Sequence, residues 1–143
     1  MAGLLFHKAG VHPGADLKLI GWVTDNELRC VVGFNGFVGK ICSMHVGYND
    51  GWHYTPKELL REAFRYAFEE GEREMVVGIV SSANEEAMRF DLHLGFKEIF
   101  RLPGMHLDGD LVVLGMRKQD CRYWHGKING EAFHGREEQN TGL

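Results

Sequence analysis

The side chains whose types and spacing could carry proton transfer in this sequence are His45, Tyr48 and Asp91. A histidine, with an ordinary pKa of about 6.5, can accept a proton at neutral pH, and a tyrosine phenol can donate one. An exposed aspartate, with a pKa of about 3.9, is already ionised at pH 7. Each residue also has a structural interpretation: a half-exposed strand position for His45, a packing or interface position in a loop for Tyr48, and a solvated helix position for Asp91.

Neither metal chemistry nor disulfide chemistry is indicated. None of the eight histidines forms a His-x-x-x-His pair with an acidic partner, and no Cys-x-x-Cys pair is present. Cys30, Cys42 and Cys121 leave one cysteine over under any pairing, so we expect reduced thiols and a cytoplasmic location. Cys42 is interpreted as a small core residue, because no base is positioned beside it.

Composition limits the classes of function. A chain of 143 residues with 44% hydrophobic residues fits one globular domain. The net charge of −4 and the lack of a dense Lys/Arg cluster argue against a nucleic-acid surface. Membrane insertion is not expected, since no apolar run approaches the roughly 20 residues of a spanning helix and the first residues lack the pattern of a signal peptide.

Three strands are predicted to position His45 and Tyr48. Leu17 to Thr24 and Leu28 to Phe34 are the first two, joined by a turn at Asp25-Asn26. The dipeptide Asn35-Gly36 favours a type I′ hairpin turn, so Phe37 to Val46 should return antiparallel as the third strand. Alternation along that strand then places His45 on its half-exposed face.

A helix and a buried strand are predicted next. Thr55-Pro56-Lys57-Glu58 has the pattern of a capping box, with proline at the first helical position. One face of this helix is apolar, and Glu70-Gly71 is the expected stop. The nearly continuous apolar run from Glu74 to Ser81 predicts a strand buried on both faces. The apolar helix face comprises Leu60, Ala63, Phe64, Ala67 and Phe68.

A second helix is predicted to carry Asp91. Ser82 and Glu85 form a second capping box, and Gly95 should end the helix in the left-handed conformation, with Phe96 folding back on the last turn. Two closing strands, Phe96 to Leu102 and Leu111 to Met116, should flank a loop that contains Asp108-Gly109.

The spacing of Asn84, Ala87, Phe90, Gly95 and Phe96, together with the order of these elements, resembles the GNAT superfamily of N-acetyltransferases over residues 17–117. The resemblance implies an α/β (α+β) fold with a mixed, mostly antiparallel central sheet and helices on its faces. The N-terminal helices of the family would be abbreviated, because residues 1–16 offer only a short strand at Leu4–His7. We expect a domain over residues 1–117 and a polar tail over 118–143.

The resemblance also implies an acyl-CoA-dependent N-acyltransferase that moves an acetyl group from acetyl-CoA to a small-molecule or protein amine by direct attack. The backbone N–H of Val46 would polarise the thioester carbonyl, and His45 would accept a proton. Asp91 stands where the family usually has a tyrosine, so Tyr48 is the substitute acid. The residues expected to bind the co-substrate are Met44, Val46, Gly51, His53, Thr55, Lys57, Asn84 and Phe90.

Two features of the cofactor loop favour a second hypothesis. Tyr54 and Pro56 stand where the family has small residues, and Asp50 adds negative charge near the expected pyrophosphate. The alternative is therefore a non-catalytic GNAT-fold protein that acts through protein contacts, with the loop around Trp52 and Tyr54 as the interface. The end of the fold, Met116 to Trp124, is similar to the tail of small bacteriophage-encoded members, which suggests a phage structural or host-interaction component. A homodimer remains open under both hypotheses.

Overall fold

The structure is a computed structural model that describes residues 16–124. Within this range one six-stranded sheet has the order β1-β2-β3-β4-β6-β5, and all neighbouring strands are antiparallel except β3 and β4. The predicted mixed, mostly antiparallel sheet is confirmed. The predicted strand at Leu4–His7 lies outside the described residues. The strands are β1 Lys18–Thr24, β2 Glu27–Val38, β3 Ile41–Tyr48, β4 Met75–Ser81, β5 Lys97–Leu102 and β6 Leu111–Arg117.

Two helices pack on one face of this sheet. Helix α1 spans Lys57–Arg65 and continues as a π-helical turn at Tyr66–Glu70, and helix α2 spans Glu85–Leu94. Phe64 of α1 lies at the centre of the core, with its ring centroid 6.3 Å from that of Phe96. In the part of the chain that is described, no helix is long and apolar enough to cross a membrane.

The hairpin turn predicted at Asn35-Gly36 is wrong. Strand β2 continues to Val38, and the turn follows at Gly39 and Lys40. The positive φ of Gly36 serves a β-bulge, because the register shifts between Asn35 and Val38. Long-range partners hold this bulge: the N–H of Gly36 donates to Asp16 Oδ2 at 2.8 Å, and Asn35 Oδ1 lies 2.7 Å from His45 Nε2.

Both predicted capping boxes are wrong, because neither Thr55 nor Ser82 is the N-cap of its helix. Helix α1 has Pro56 as its N-cap and no side-chain cap, because the hydroxyl of Thr55 pairs with Tyr48. Helix α2 is capped by Asn84, whose Oδ1 accepts the N–H of Ala87 at 3.1 Å. Ser82 Oγ instead accepts the N–H of Asp110 at 2.8 Å, which draws this serine into a contact with the β5–β6 loop.

The stop of α2 is confirmed. Gly95 has a φ of +113°, its N–H donates to the carbonyl of Leu92 at 3.1 Å, and the N–H of Phe96 donates to the carbonyl of Asp91 at 3.1 Å. These two bonds are the Schellman pattern. The predicted turn at Asp25-Asn26 is also confirmed, with positive φ at both residues.

Strand β4 differs from the prediction on one face. Val76 and Val80 are buried in the core, but Ile79 is 57% exposed. Both helices pack on the opposite side of the sheet, so the face that carries Ile79 is only partly covered. The prediction of a strand buried on both faces is wrong at this residue.

The packed part of the chain extends beyond residue 117. Cys121 and Trp124 are buried, and the Trp124 ring packs 5.5 Å from that of Phe68. The indole Nε1 of Trp124 donates to Glu69 Oε2 at 3.0 Å. The segment 118–124, which the sequence assigns to a polar tail, therefore contributes to the core beside α1.

Candidate active site

A wedge-shaped opening divides the sheet between β3 and β4. The two strands pair only from Ile41 to Ser43 on β3 and from Met75 to Val77 on β4. Strand β3 then continues to Tyr48 while still paired with β2, but its other edge has separated from β4. The backbone of β3 thereby faces an opening in the middle of the sheet.

A cavity of about 600 Å³ fills this opening. Its walls are the end of β3, the loop after it, the second half of β4 and the inner face of α2. Its lining includes Val46, Tyr48, Asn84, Glu86, Phe90 and Asp91. A volume of this size is in the range of pockets that bind small organic ligands.

The cavity brings together all of the predicted site residues except two. His45, Tyr48 and Asp91 line it, as do the predicted co-substrate residues Met44, Val46, Gly51, His53, Asn84 and Phe90. Thr55 and Lys57 stand just beyond it, at the start of α1. Residues from β3 and α2 that are more than 35 positions apart thus meet at one site.

The backbone N–H of Val46 is directed into the opening. The N–H of Asn49 donates to the carbonyl of Arg29 on β2 at 2.8 Å. The register of β2 with β3 then continues without a shift from Asn49 back to Val46. Successive N–H groups of a strand point to opposite edges, so the N–H of Val46, three positions away, points away from β2. It therefore lies on the edge that β4 has left.

His45 is a half-buried residue beside the bulge of β2. Its Nε2 lies 2.7 Å from Asn35 Oδ1, and burial lowers its pKa below the usual 6.5. The imidazole is therefore neutral at pH 7. Its position on the half-exposed face of β3, with Ser43, is as predicted.

Tyr48 is the last residue of β3 and not a loop residue. Its phenol oxygen lies 2.5 Å from Thr55 Oγ1. Burial raises the pKa of Tyr48, the Thr55 hydrogen bond lowers it in part, and the charge of Asp91 raises it further. The phenol therefore stays protonated at neutral pH, as a proton donor must.

Asp91 corrects the expectation of an exposed, fully ionised helix residue. It lies on the inner face of α2, where burial raises its pKa to about 6. Its carboxyl group has no hydrogen-bond or ion-pair partner among residues 16–124. Near neutral pH this carboxylate can bind or release a proton, which an ordinary surface aspartate cannot do.

The loop from β3 to α1 is fixed by its own hydrogen bonds. The N–H of Trp52 donates to the carbonyl of Asn49 at 3.0 Å, and the Trp52 indole donates to the carbonyl of Tyr54 at 2.5 Å. The Trp52 ring also lies 5.4 Å from the guanidinium carbon of Arg29. Tyr54 is 59% exposed and does not line the cavity, whereas Trp52 forms part of its wall.

The lining of the cavity and the start of α1 beside it differ in charge. The lining carries the carboxylates of Asp50, Glu86 and Asp91 and no lysine or arginine. The start of α1 lies next to it, where Lys57 is exposed and no side chain caps the first backbone N–H groups. A helix N-terminus with bare N–H groups favours an anion, although Pro56 contributes no N–H.

Sequence reasoning missed several residues of the wall. Ile79 and Glu86 line the cavity, and no local signal marks either one, because Ile79 belongs to an apolar strand run and Glu86 to the first turn of a helix. Asn49 holds the loop, with Nδ2 donating to the carbonyl of Leu28 at 3.0 Å. Between residues 16 and 124, no three His, Cys, Asp or Glu side chains are grouped as metal ligands would be.

Solved structures with a similar fold include two N-acetyltransferases. The spermidine N-acetyltransferase from Vibrio cholerae, solved with CoA and spermine, has a TM-score of 0.64 at 12% identity over 74% of this chain and 68% of that one. The Campylobacter jejuni N-acetyltransferase PseH, solved with acetyl coenzyme A, has a TM-score of 0.57 at 17% identity over 79% of this chain and 72% of that one. No family model matches the chain, and the curated proteins gave no match.

These similarities define the class of fold: the chain has the GNAT fold of the N-acetyltransferases. The resemblance drawn from residues 84–96 and from the order of elements is confirmed at the level of the fold.

Proposed function

We propose that this protein is an acyl-CoA-dependent N-acetyltransferase that moves the acetyl group of acetyl-CoA to an amine. The observation that carries the proposal is the opening between β3 and β4, with the N–H of Val46 directed into it and Tyr48 and Asp91 on its walls. The two similar enzymes were solved with CoA or acetyl coenzyme A, which agrees with this assignment.

The reaction needs an amine nitrogen to attack the thioester carbon, forming a C–N bond while the C–S bond breaks. The N–H of Val46 would donate to the carbonyl oxygen, where negative charge develops. The attacking amine must lose a proton, and the departing thiolate must gain one. The protein therefore has to supply one acceptor and one donor beside the same carbonyl.

We assign the acceptor to Asp91 and the donor to Tyr48. With a pKa of about 6, Asp91 is mostly carboxylate at pH 7 and takes the amine proton. Tyr48, whose pKa is raised by burial, is protonated and gives its proton to sulfur. His45 is the second choice of acceptor, because its Nε2 already pairs with Asn35.

The co-substrate would lie along β3 and reach the start of α1. Met44, Asn84 and Phe90 line the cavity, in which an acyl-pantetheine arm would bind. The N–H groups at the start of α1, with Lys57 and His53, would face the phosphates. The volume of about 600 Å³ fits the arm, and the phosphates would stay outside it.

Ligand-dependent stabilisation tests the proposal. Acetyl-CoA should raise the melting temperature in proportion to the logarithm of its concentration, because it binds only the folded chain. Ala87→Trp would fill the cavity from the α2 wall and abolish this shift. Ala83→Trp, at an exposed position that does not line the cavity, is the matched control. The same thermal response to acetyl-CoA in Ala87→Trp and in the unmutated protein would rule the cavity out as the binding site.

A non-catalytic role is the second candidate, and the charges of the cavity favour it. Three carboxylates and no lysine or arginine in the lining oppose a polyanionic co-substrate, and Pro56 removes one N–H from the phosphate side. Under this hypothesis millimolar acetyl-CoA leaves the melting temperature unchanged. Trp52→Ala would then release a bound partner while the chain stays folded.

A further inference from the structure

The pair formed by Tyr48 and Thr55 closes a loop of six residues, 49–54, at the end of β3. Their oxygen atoms lie 2.5 Å apart, and both side chains are half-buried. Thr55 has the sequence pattern of a helix cap, but the N-cap of α1 is Pro56, and the Thr55 hydroxyl makes no cap bond. The hydroxyl is therefore committed to the phenol.

The loop between the two residues keeps them in place. The N–H of Asn49 donates to the carbonyl of Arg29 on β2, and the side chain of Asn49 donates to the carbonyl of Leu28 on the same strand. Trp52 is bonded to Asn49 and Tyr54 within the loop. With the backbone held at both ends, Thr55 and Tyr48 meet without the ordering cost of a mobile loop.

We propose that Thr55 is a positioning residue that holds the Tyr48 phenol toward the cavity and donates a hydrogen bond to its oxygen when the proton has left. The inference rests on the proposed function, because it assigns a task to the residue that returns a proton to sulfur.

The proton balance of the step is closed within the site. The amine proton passes to the Asp91 carboxylate as the C–N bond forms, and the Tyr48 proton passes to the thiolate as the C–S bond breaks. The phenolate is then stabilised by the Thr55 hydroxyl until the proton on Asp91 restores the phenol. In agreement with this direction, burial is the main cause that raises the pKa of Tyr48, and the hydrogen bond from Thr55 opposes it.

Two substitutions of Thr55 separate its hydroxyl from its shape. Thr55→Val keeps the volume and removes the hydroxyl, whereas Thr55→Ser keeps the hydroxyl. Thiol release from acetyl-CoA with a panel of simple primary amines measures turnover. We expect Thr55→Val to lower kcat about ten- to a hundredfold, as loss of one hydrogen bond to a charged oxygen predicts, and Thr55→Ser to retain most of the unmutated kcat.

The variant Tyr48→Phe is the control that distinguishes positioning of the phenol from a purely structural role of Thr55. In that background Thr55→Val should cause no further loss, because the group it serves is gone. A spectroscopic titration of tyrosinate, taken as the difference from Tyr48→Phe, should place the Tyr48 titration at higher pH in Thr55→Val than in the unmutated protein.

The outcomes are distinguishable. If the unmutated protein neither responds thermally to acetyl-CoA nor releases thiol, the proposed function fails and this inference fails with it. If it does both, but Thr55→Val retains the full kcat or loses as much again in the Tyr48→Phe background, only the role of Thr55 is overturned.

Discussion

The carbonyl oxygen of Asp91 accepts the N–H of Phe96 at 3.1 Å, so the residue that presents a carboxyl group to the cavity also ends helix α2 through its backbone. The side chain serves the candidate site, and the main chain serves the Schellman stop. The position of this carboxyl group therefore depends on the glycine between the two residues, because Gly95 provides the left-handed turn that makes the bond.

Gly95→Ala should destabilise the fold by about 1–3 kcal/mol, because a φ of +113° is strained for any residue with a Cβ. The added Cβ would also lie 3.2 Å from Met116 Cε. Urea denaturation measures the change. Gly78→Ala is the control, since a Cβ there meets no atom within 4 Å; equal losses for the two variants would contradict the role given to the turn.

Asp91→Asn should stabilise the protein at neutral pH. The folded pKa of about 6 is above the value of 3.8 for an unperturbed aspartate, so ionisation of Asp91 opposes folding. This cost is absent below pH 3.8, grows as the pH rises to 6 and is fully present above it. We expect a gain on the order of 1–3 kcal/mol at pH 7.5 and none at pH 3.5. Equal effects of Asp91→Asn at the two pH values would contradict this assignment.

Activity should rise with pH through about 6, because the Asp91 carboxylate must be ionised to accept the amine proton. The measurement is kcat/KM between pH 4.5 and 8 with a primary amine whose own titration is subtracted. Asp91→Asn should remove this limb and lower kcat/KM by about 10²-fold or more. His45→Gln should keep the limb; its disappearance in that variant would assign the proton acceptor to His45 instead.

Trp124→Ala should cost about 3–5 kcal/mol, because a buried ring packed on Phe68 is lost. Trp124→Phe keeps most of the packing and removes only the hydrogen bond to Glu69, so about 1 kcal/mol is expected. Chemical denaturation of the full chain compares the two. A loss below about 1 kcal/mol for Trp124→Ala would show that residues 118–124 are dispensable for the fold.

Features fixed by neighbouring residues were predictable from the sequence. Gly95 and the turn at Asp25-Asn26 need only positive φ, which residue type reveals. The order of strands and helices follows from hydrophobic periodicity, and it was enough to indicate the fold.

Features that depend on distant partners were not predictable. Asn35-Gly36 has the local signal of a turn, but contacts with Asp16 and His45 keep it within β2 as a bulge. Ser82 has the signal of a cap, but Asp110, 28 positions away, takes its hydroxyl. The pKa of Asp91 depends on the burial that β3 and α2 create together, which no local pattern contains.

The parallel pairing of β3 with β4, only three residue pairs long, divides the sheet into two half-sheets. Strands β1 to β3 follow one another in the chain and can assemble from nearby contacts, whereas β4, β6 and β5 form a second half-sheet from a later stretch of sequence. Within each half-sheet the strands pair with one another, and the two half-sheets are joined only by the three residue pairs at one end of β3 and β4. The opening between β3 and β4 thus follows from how the strands are connected. Side chains that line it can therefore change during evolution while the two half-sheets keep their pairing.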